Sequence, residues 1–260
     1  MTHLSLFSGI GGLDLAAEWA GFQTVGQCEW ADYPTKVLEK HWPDVPRWRD
    51  IRDLTADDFR RRTGVDRPTV ISGGFPCQPH SLAGERKAST DERDLWPQMR
   101  RVISDVKPRW VVAENVPGLF STDDGRFFRA ILRDLSEMGF DVGWATYPAA
   151  WVGAVHRRER MAIVAHANSI RRGGRGRQEA ANKYRKSDGK LGEYGGFEAA
   201  FDIVRCLSNP ATAPCYLRGN YGLSDWSHRV RGLGNAVVPQ QFYPIFRAIA
   251  EIEGGHDDQS

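Results

Sequence analysis

Cys77 lies in a stretch that restrains the backbone on both sides of its thiol. The segment reads VISGGFPCQPHS, in which Pro76 and Pro79 limit the backbone conformations around the cysteine. The apolar pair Val70 and Ile71 predicts a short buried strand that ends at two glycines, so the thiol would lie in a stiff loop at a strand's carboxyl end. Ligands of open α/β sheets bind at such ends. We therefore interpret Cys77 as a reactive group, against the alternative of a small buried side chain in a turn.

A glycine-rich turn follows the first predicted strand and leads into a helix. In HLSLFSGIGGLDLAAEW, the turn contains Gly9, Gly11 and Gly12, which allow close backbone approach to a ligand. An acid, Glu29, ends the second predicted strand, where ribose hydroxyls are commonly bound. The neighbouring Trp30 could stack on an adenine, or it could be a core or rim tryptophan. The pattern favours a nucleotide-like cofactor, although it lacks the third spaced glycine of the dinucleotide fingerprint.

These groups would be positioned by strands that alternate with helices through about residue 166. The alternation predicts an α/β protein with a doubly wound, mostly parallel sheet, and its last two strands are predicted in VGWATYPAAW and RMAIVAH. Residues 168–227 are rich in Gly, Arg, Asn and Pro without periodicity, which indicates an inserted irregular module. The segment VVPQQFYPIFRAIAEIE predicts a final helix, and GGHDDQS, from Gly254, predicts a frayed tail.

The composition is that of a globular protein with an ordinary core. The 260 residues are 41% hydrophobic and 26% charged, and no apolar run approaches the roughly 20 residues that a membrane span needs. No signal peptide is recognisable at the N-terminus, so we expect a cytoplasmic protein. The spacing of the cysteines predicts neither a zinc site nor a disulfide framework; they are Cys28, Cys77, Cys206 and Cys215.

Basic residues are concentrated in one part of the chain. The net charge is only +2, but residues 157–190 contain eight Arg and three Lys against three acidic residues. Such a block is typical of either a solvated loop or a surface that binds a polyanion.

Six blocks, in this order, resemble the motifs of the DNA (cytosine-5)-methyltransferases: LFSGIGGLDLAAEWAGF, CEW, GGFPCQPHS, ENVPGL, HRRER and RGLGNAVVP. The resemblance implies the Rossmann-like fold of S-adenosylmethionine-dependent methyltransferases, of bacterial or phage type. It implies methyl transfer from S-adenosylmethionine, without a metal, to carbon 5 of a flipped-out cytosine in a specific double-stranded DNA site. It also divides the chain into a catalytic and cofactor-binding domain (1–167), a target recognition domain (168–228) and a C-terminal segment that returns to the catalytic domain (229–260).

The resemblance assigns roles to individual residues. Cys77 matches the nucleophile that attacks carbon 6 of cytosine. Glu114 matches the carboxyl that holds the ring nitrogen N3 and the exocyclic amine, for which a raised pKa is expected. Arg158 and Arg160 match the arginines that fix the base and the Cys77 loop, and a strand would put both on one face. The positions implied around the cofactor are Phe7, Gly9, Gly11, Gly12, Glu29, Trp30, Asp50, Ile51, Leu95 and Asn235, with Asp50 suited to the adenine amino group.

Two positions depart from the family pattern: His156 stands where the family has Gln, and Ser5 stands where it has Asp.

The expected partner is double-stranded DNA and not a membrane, the protein is expected to be a monomer, and a cognate restriction endonuclease is a candidate partner. Three alternatives stay open. A tRNA cytosine-5 methyltransferase would carry a Cys-Phe-Thr element that this chain lacks. A nicotinamide oxidoreductase would leave FPCQP, ENV and GNAV unexplained, and a non-catalytic DNA-binding protein would have no need of Cys77, Glu114 and Arg158.

Overall fold

A computed structural model describes residues 1–76, 95–154, 157–167 and 236–257. The strands are β1 (Thr2–Leu6), β2 (Gln23–Cys28), β3 (Arg47–Trp48), β4 (Val70–Gly73), β5 (Trp110–Asn115), β6 (Phe140–Pro148) and β7 (Glu159–Ala167). The helices are α1 (Gly12–Trp19), α2 (Asp32–His41), α3 (Ala56–Thr63), α4 (Trp96–Val106), α5 (Arg126–Glu137) and α6 (Pro239–Asp257). Cys77, His156, Asn235 and the predicted module lie outside the described residues, so what the sequence predicts of them stays a prediction.

The described strands form one sheet in the order β3-β2-β1-β4-β5-β7-β6. The first five strands pair in parallel, whereas β7 runs antiparallel to both of its neighbours, β5 and β6. Helices connect the parallel strands, because a parallel pair needs a long crossover connection. The predicted doubly wound, mostly parallel sheet is confirmed.

Two apolar clusters cover the two faces of the sheet. One cluster packs α3, α4 and α5 against β1, β4 and β5, through residues such as Phe59, Met99 and Ile131. The other packs α1 and α6 against the opposite face, where Leu13, Phe242 and Phe246 are buried. The central strands are therefore covered on both sides, which is why they consist of nearly continuous apolar runs.

Several details differ from the sequence predictions, and one is the two-residue strand β3, which was not predicted. The strand predicted to reach Trp151 ends at Pro148, and a 3-10 helix follows at Ala149–Val152. The helix α3 was not predicted, because Phe59 is its single buried residue and its other positions show no apolar period. The tail predicted to fray from Gly254 is helical through Asp257, since the preceding buried Glu253 anchors α6 to the sheet.

Candidate active site

The carboxyl ends of the parallel strands gather most of the predicted site residues at one edge of the sheet. The glycine turn follows β1, Glu29 follows β2, the segment before Cys77 follows β4, and Glu114 is the penultimate residue of β5. Parallel strands bring residues far apart in sequence to this edge, where ligands of such sheets bind.

The three glycines of the first turn have different surroundings. Gly9 and Gly11 adopt positive φ angles of 55° and 87°. A Cβ atom at Gly9 would meet nothing within 4 Å, whereas one at Gly11 would lie 2.5 Å from the Trp42 ring and one at Gly12 would lie 2.5 Å from the Val237 carbonyl oxygen. Gly9 therefore leaves open space for a ligand, while Gly11 and Gly12 admit neighbouring parts of the protein.

Glu29 links the ends of β1 and β2. Its carboxylate accepts hydrogen bonds from the Gly9 N–H at 2.7 Å and the Ala31 N–H at 2.8 Å, one at each oxygen. Since each carboxylate oxygen can accept a second bond, the group can still receive ribose hydroxyls. Trp30 is 71% exposed, so it is not a core tryptophan. Its stacking on an adenine stays a prediction.

The other predicted cofactor positions lie on neighbouring elements. Asp50 caps a short 3-10 helix by accepting the Arg52 N–H at 2.9 Å, and the following Ile51 is buried. Burial, together with the nearby charges of Glu29 and Asp50, raises the pKa of the Cys28 thiol to about 12. Asp50 is close to the end of β2 because β3 pairs with β2 there, with Cys28 opposite Trp48. Phe7 packs against the larger apolar cluster and Leu95 precedes α4.

Glu114 and Arg160 form a nearly buried ion pair. Arg160 Nε lies 2.7 Å from Glu114 Oε1, and the two side chains are 13% and 12% exposed. The strand register explains the contact, because Glu114 pairs with Ala162, and Arg160 is two residues away on the same face. Burial raises the pKa of Glu114 above its ordinary value, against the opposing charges of Arg160 and Arg158. The direction expected from the sequence is confirmed.

Arg158 reaches this cluster by a different route from the one predicted. It precedes β7 and has a positive φ of 31°, so the expectation that one strand carries both arginines is wrong. Its guanidinium donates to the carbonyl oxygen of Ala236, and its charge lowers the pKa of Glu114. The two arginines are thus brought to one carboxyl by a strand and by the turn before it.

Two residues that the sequence analysis did not single out shape this part of the site. Asn115 Nδ2 donates to the Phe75 carbonyl oxygen at 3.0 Å, which ties the segment before Cys77 to β5. A Cβ atom at Gly74 would lie 2.8 Å from Glu114 Oε2, so glycine leaves room for the carboxyl. The GG pair and the ENV triplet were the available signals in the sequence.

A buried polar network lies beneath the glycine turn. Asp14 is fully buried and accepts hydrogen bonds from Ser5 Oγ and Gln27 Nε2, both at 2.8 Å, and Arg47 Nε donates to Gln27 Oε1 at 2.8 Å. Burial raises the pKa of Asp14 to about 6. Ser5, the position that departs from the family pattern, thus supports a buried acid of α1.

Over the described ranges, no helix has the length and apolar character needed to cross a membrane. Over the same ranges, no group of three or more His, Cys, Asp or Glu side chains is placed to hold a metal ion.

Comparison with known proteins agrees with this arrangement. The chain is 33% identical over 165 residues to the type II methyltransferase M.BsuFI of Bacillus subtilis, a match that covers 63% of this chain and 39% of that protein. It is 32% identical over 168 residues to M.NgoBI of Neisseria gonorrhoeae, covering 64% and 51%. The matches therefore span about two fifths to one half of these relatives.

Solved structures show the same fold. A prophage protein of E. coli described as a DNA modification methyltransferase superposes with a TM-score of 0.57 at 26% identity, covering 65% of this chain and 47% of that one. A DNMT2 mutant of Spodoptera frugiperda gives a TM-score of 0.54 at 22% identity, covering 65% and 51%, which shows the fold alone.

Residues 1–208 match the family model for C-5 cytosine-specific DNA methylase. This range contains the glycine turn, the Cys77 segment and the Glu114–Arg160 pair. The chain belongs to the C-5 cytosine-specific DNA methylase family.

Proposed function

We propose that this chain methylates carbon 5 of a cytosine in a specific double-stranded DNA site. The carrying observation is the buried pair of Glu114 and Arg160, joined by Arg158, at the sheet edge that leads into the Cys77 loop. The family match and the type II methyltransferases among its relatives support the same activity.

Cys77 acts in this proposal as the nucleophile. Its thiolate forms a bond to carbon 6 of the cytosine, which makes carbon 5 nucleophilic enough to accept a methyl group. Water then takes the proton from carbon 5, the electrons of that C–H bond re-form the double bond between carbons 5 and 6, and Cys77 leaves carbon 6 as the thiolate. The Asn115 contact to Phe75 holds the start of the loop that carries the thiol.

Glu114 acts as the proton donor to the base. Thiolate attack pushes negative charge into the ring, and a proton supplied at N3 relieves that charge. Burial raises the pKa of Glu114, so a larger fraction of the carboxyl keeps its proton than in water. Arg160 fixes the carboxyl at 2.7 Å, and its charge limits the rise in pKa.

The residues at the ends of β1 and β2 fit S-adenosylmethionine, which the family implies. Gly9 leaves open backbone, Glu29 has acceptor capacity for ribose hydroxyls, and exposed Trp30 offers an aromatic face. When bound, S-adenosylmethionine supplies an electrophilic methyl group on a sulfonium.

The target base must leave the duplex before Cys77 can reach carbon 6, because that atom is inaccessible in stacked DNA. The basic block at residues 157–190 supplies a partner for DNA phosphates, an attraction that weakens as salt rises.

We assign the choice of site to the predicted module at 168–228. We further propose a cytoplasmic monomer with a cognate restriction endonuclease as a candidate partner.

The covalent step provides the direct test. Cys77→Ala should abolish methyl transfer and keep S-adenosylmethionine binding, because the thiol activates the base and does not line the cofactor site. A duplex with 5-fluorocytosine at the target should trap the wild type covalently, since fluorine blocks the final proton loss. Cys28→Ala is the matched control and should still form the adduct, because Cys28 is buried and its thiol pKa is raised to about 12.

Mass spectrometry detects the adduct, and bisulfite sequencing of DNA and tRNA from expressing cells identifies the substrate and the site. Absence of an adduct on a duplex whose unmodified form is methylated would contradict the mechanism. Methylated cytosine in tRNA alone would favour the tRNA alternative.

A further inference from the structure

Gln241, in the first turn of α6, contacts the part of the chain that carries Arg158. Its side chain is fully buried, and its Nε2 donates to the carbonyl oxygens of Tyr147 at 3.1 Å and Arg158 at 3.2 Å. In return, the buried Tyr147 hydroxyl donates to the backbone oxygen of Gln241 at 2.7 Å. The amide and the hydroxyl therefore join α6 to the end of β6 and to the turn before β7.

Arg158 needs such support because its backbone is strained. A φ of 31° is unfavourable for a residue with a side chain and persists only where surrounding contacts hold it. The Arg158 carbonyl oxygen accepts from Gln241 Nε2 at 3.2 Å. The Ala149 N–H donates at 2.6 Å to the carbonyl oxygen of the preceding Arg157 and lies 3.3 Å from that of Arg158. At its other end, the guanidinium donates to the Ala236 carbonyl oxygen. Residues at and just before α6 thus hold both ends of Arg158.

The same segment also contacts the glycine turn after β1. A Cβ atom at Gly12 would lie 2.5 Å from the carbonyl oxygen of Val237, so this backbone packs directly on the start of α1. Ala236, Val237 and Gln241 therefore bridge the predicted cofactor side of the site and the side that holds Glu114.

The buried amide has a feature that packing alone does not explain. Gln241 Oε1 has no hydrogen-bond partner among the described residues, and an unpaired buried acceptor is unfavourable for folding. An apolar side chain of similar volume would avoid that penalty. What the amide adds over such a side chain is its two N–H donors, and one of them is aimed at Arg158.

We infer that Gln241 is a positioning residue, which acts through the Arg158 backbone to hold that guanidinium at the Ala236 carbonyl oxygen, on the side of the site that contains Glu114. The inference rests on the proposed function for its catalytic consequence. Gln241 lies outside the six sequence motifs, and no sequence pattern assigned it a role.

The first test replaces the donors and keeps the volume. Gln241→Met should lower kcat about 10- to 100-fold, the range expected when a reacting group is slightly misplaced. The KM for S-adenosylmethionine should stay close to that of the wild type. The melting temperature should fall by only a few degrees, because the loss of two donors is partly offset by removal of the unpaired Oε1. Gln240→Met is the matched control on the neighbouring, partly exposed position and should behave as wild type. An equal kcat for Gln241→Met and the wild type would overturn the inference.

A double-mutant cycle tests whether the effect passes through Arg158. In an Arg158→Lys background, Gln241→Met should have little further effect on the single-turnover rate, because its target is already altered. The same fold-loss in both backgrounds would mean that Gln241 supports the fold in general, and would overturn the positioning role. If Gln241→Met does not fold, Tyr147→Phe serves instead, since it removes only the hydroxyl bond to the Gln241 backbone.

An independent readout separates this inference from the proposed function. The ¹H–¹⁵N signal of Arg158 Nε, assigned by its absence in Arg158→Lys, should shift toward that of an exposed arginine in Gln241→Met. It should not shift in Gln240→Met. An unchanged signal overturns the inference even if the wild type methylates DNA. A shifted signal in a protein that methylates no cytosine supports the contact, and the proposed function fails instead.

Discussion

Glu114 is the residue in which burial and ion pairing oppose each other most directly. Burial raises its pKa, and the charges of Arg160 and Arg158 lower it. In the proposed mechanism this carboxyl carries a proton to the base, and a 2.7 Å contact to Arg160 holds it in place. Its position also depends on Gly74, because any larger residue there would place a carbon 2.8 Å from Glu114 Oε2.

Gly74→Ala should therefore reduce methyl transfer by about tenfold or more, since it displaces a fixed carboxyl by a fraction of an ångström. Stability should change by less than about 1 kcal/mol, because the glycine has no positive φ and the carboxyl can shift. Gly118→Ala is the control, as its Cβ would lie 4.0 Å from Val116. Single-turnover kinetics and chemical denaturation measure the two effects, and equal rates for both variants would refute the role of Gly74.

Asp14 predicts a pH dependence of stability. Its pKa is about 6 in the folded protein against an ordinary 3.8, so the folded state holds a proton that the unfolded chain has already released. Its contribution to stability is full below about pH 4 and is lost as the pH rises through about 6. A shift of this size corresponds to about 3 kcal/mol.

Asp14→Asn should flatten the free energy of unfolding between about pH 4 and 6, because the amide does not titrate. Ser5 can rotate its hydroxyl to accept from the new amide, and Gln27 can still donate to its oxygen. Urea denaturation at several pH values measures this. If the free energy of unfolding of Asp14→Asn still changed with pH as in the wild type, Asp14 would not be the group that causes this pH dependence.

At the scale of elements, α6 joins parts of the protein that are distant in sequence. Its buried Glu253 pairs with Arg109 at 2.6 Å and accepts from Trp110 Nε1 at 2.9 Å, at the start of β5. Its other end contacts Arg158 through Gln241, and Ala236, just before the helix, accepts from the Arg158 guanidinium. The helix thus extends from the strand that carries Glu114 at its far end to the turn that carries Arg158.

Glu253→Ala should destabilise the protein by about 2–3 kcal/mol, because it leaves a buried tryptophan N–H and a half-exposed arginine without their acceptor. Glu251→Ala, which removes an exposed pair with Arg247 on the same helix, should cost less than about 0.5 kcal/mol. Thermal and urea unfolding compare the two. Similar losses of stability in both variants would show that the contacts of Glu253 with Arg109 and Trp110 contribute little to stability.

At the scale of the whole molecule, the sheet edge is where the proposed chemistry takes place, and the segment at 168–228 is where we assign site selection. The basic residues of that segment lie outside the described residues, so their role is argued from charge alone. Phosphate contacts and base contacts differ in how they respond to salt and to sequence.

Four arginines test this division: Arg171, Arg172, Arg175 and Arg177. Replacing a phosphate-binding arginine by alanine should weaken binding to every duplex and reduce the slope of log affinity against log salt concentration by about one unit. Replacing an arginine that contacts a base should reduce the binding free energy by roughly 1–3 kcal/mol on the cognate site only. We expect phosphate contacts from most of them. Glycines alternate with the arginines there, and a glycine-rich segment makes a contact to the DNA backbone more easily than a bidentate contact to a base. Titrations of cognate and scrambled duplexes at several salt concentrations decide, and four variants equal to wild type would indicate a solvated loop.

The sequence by itself determined the fold class, the order of the main strands and helices, and the family. Alternating apolar runs, the glycine turn and the Cys77 segment are local patterns, and local patterns follow from side-chain burial and backbone preferences. The raised pKa of Glu114 was expected from the proton-donating role that the family resemblance implies, and its direction is confirmed.

Only the tertiary structure decided which residues meet. Arg158 donates from a left-handed turn to the Ala236 carbonyl oxygen, Gly74 leaves space for a carboxyl on another strand, and Gln241 returns from the far end of the chain to contact Arg158. These contacts join residues 40 to 83 positions apart, as between Phe75 and Asn115 or between Arg158 and Gln241. No local propensity encodes such pairs, because they arise when the packed sheet and α6 bring distant backbone together.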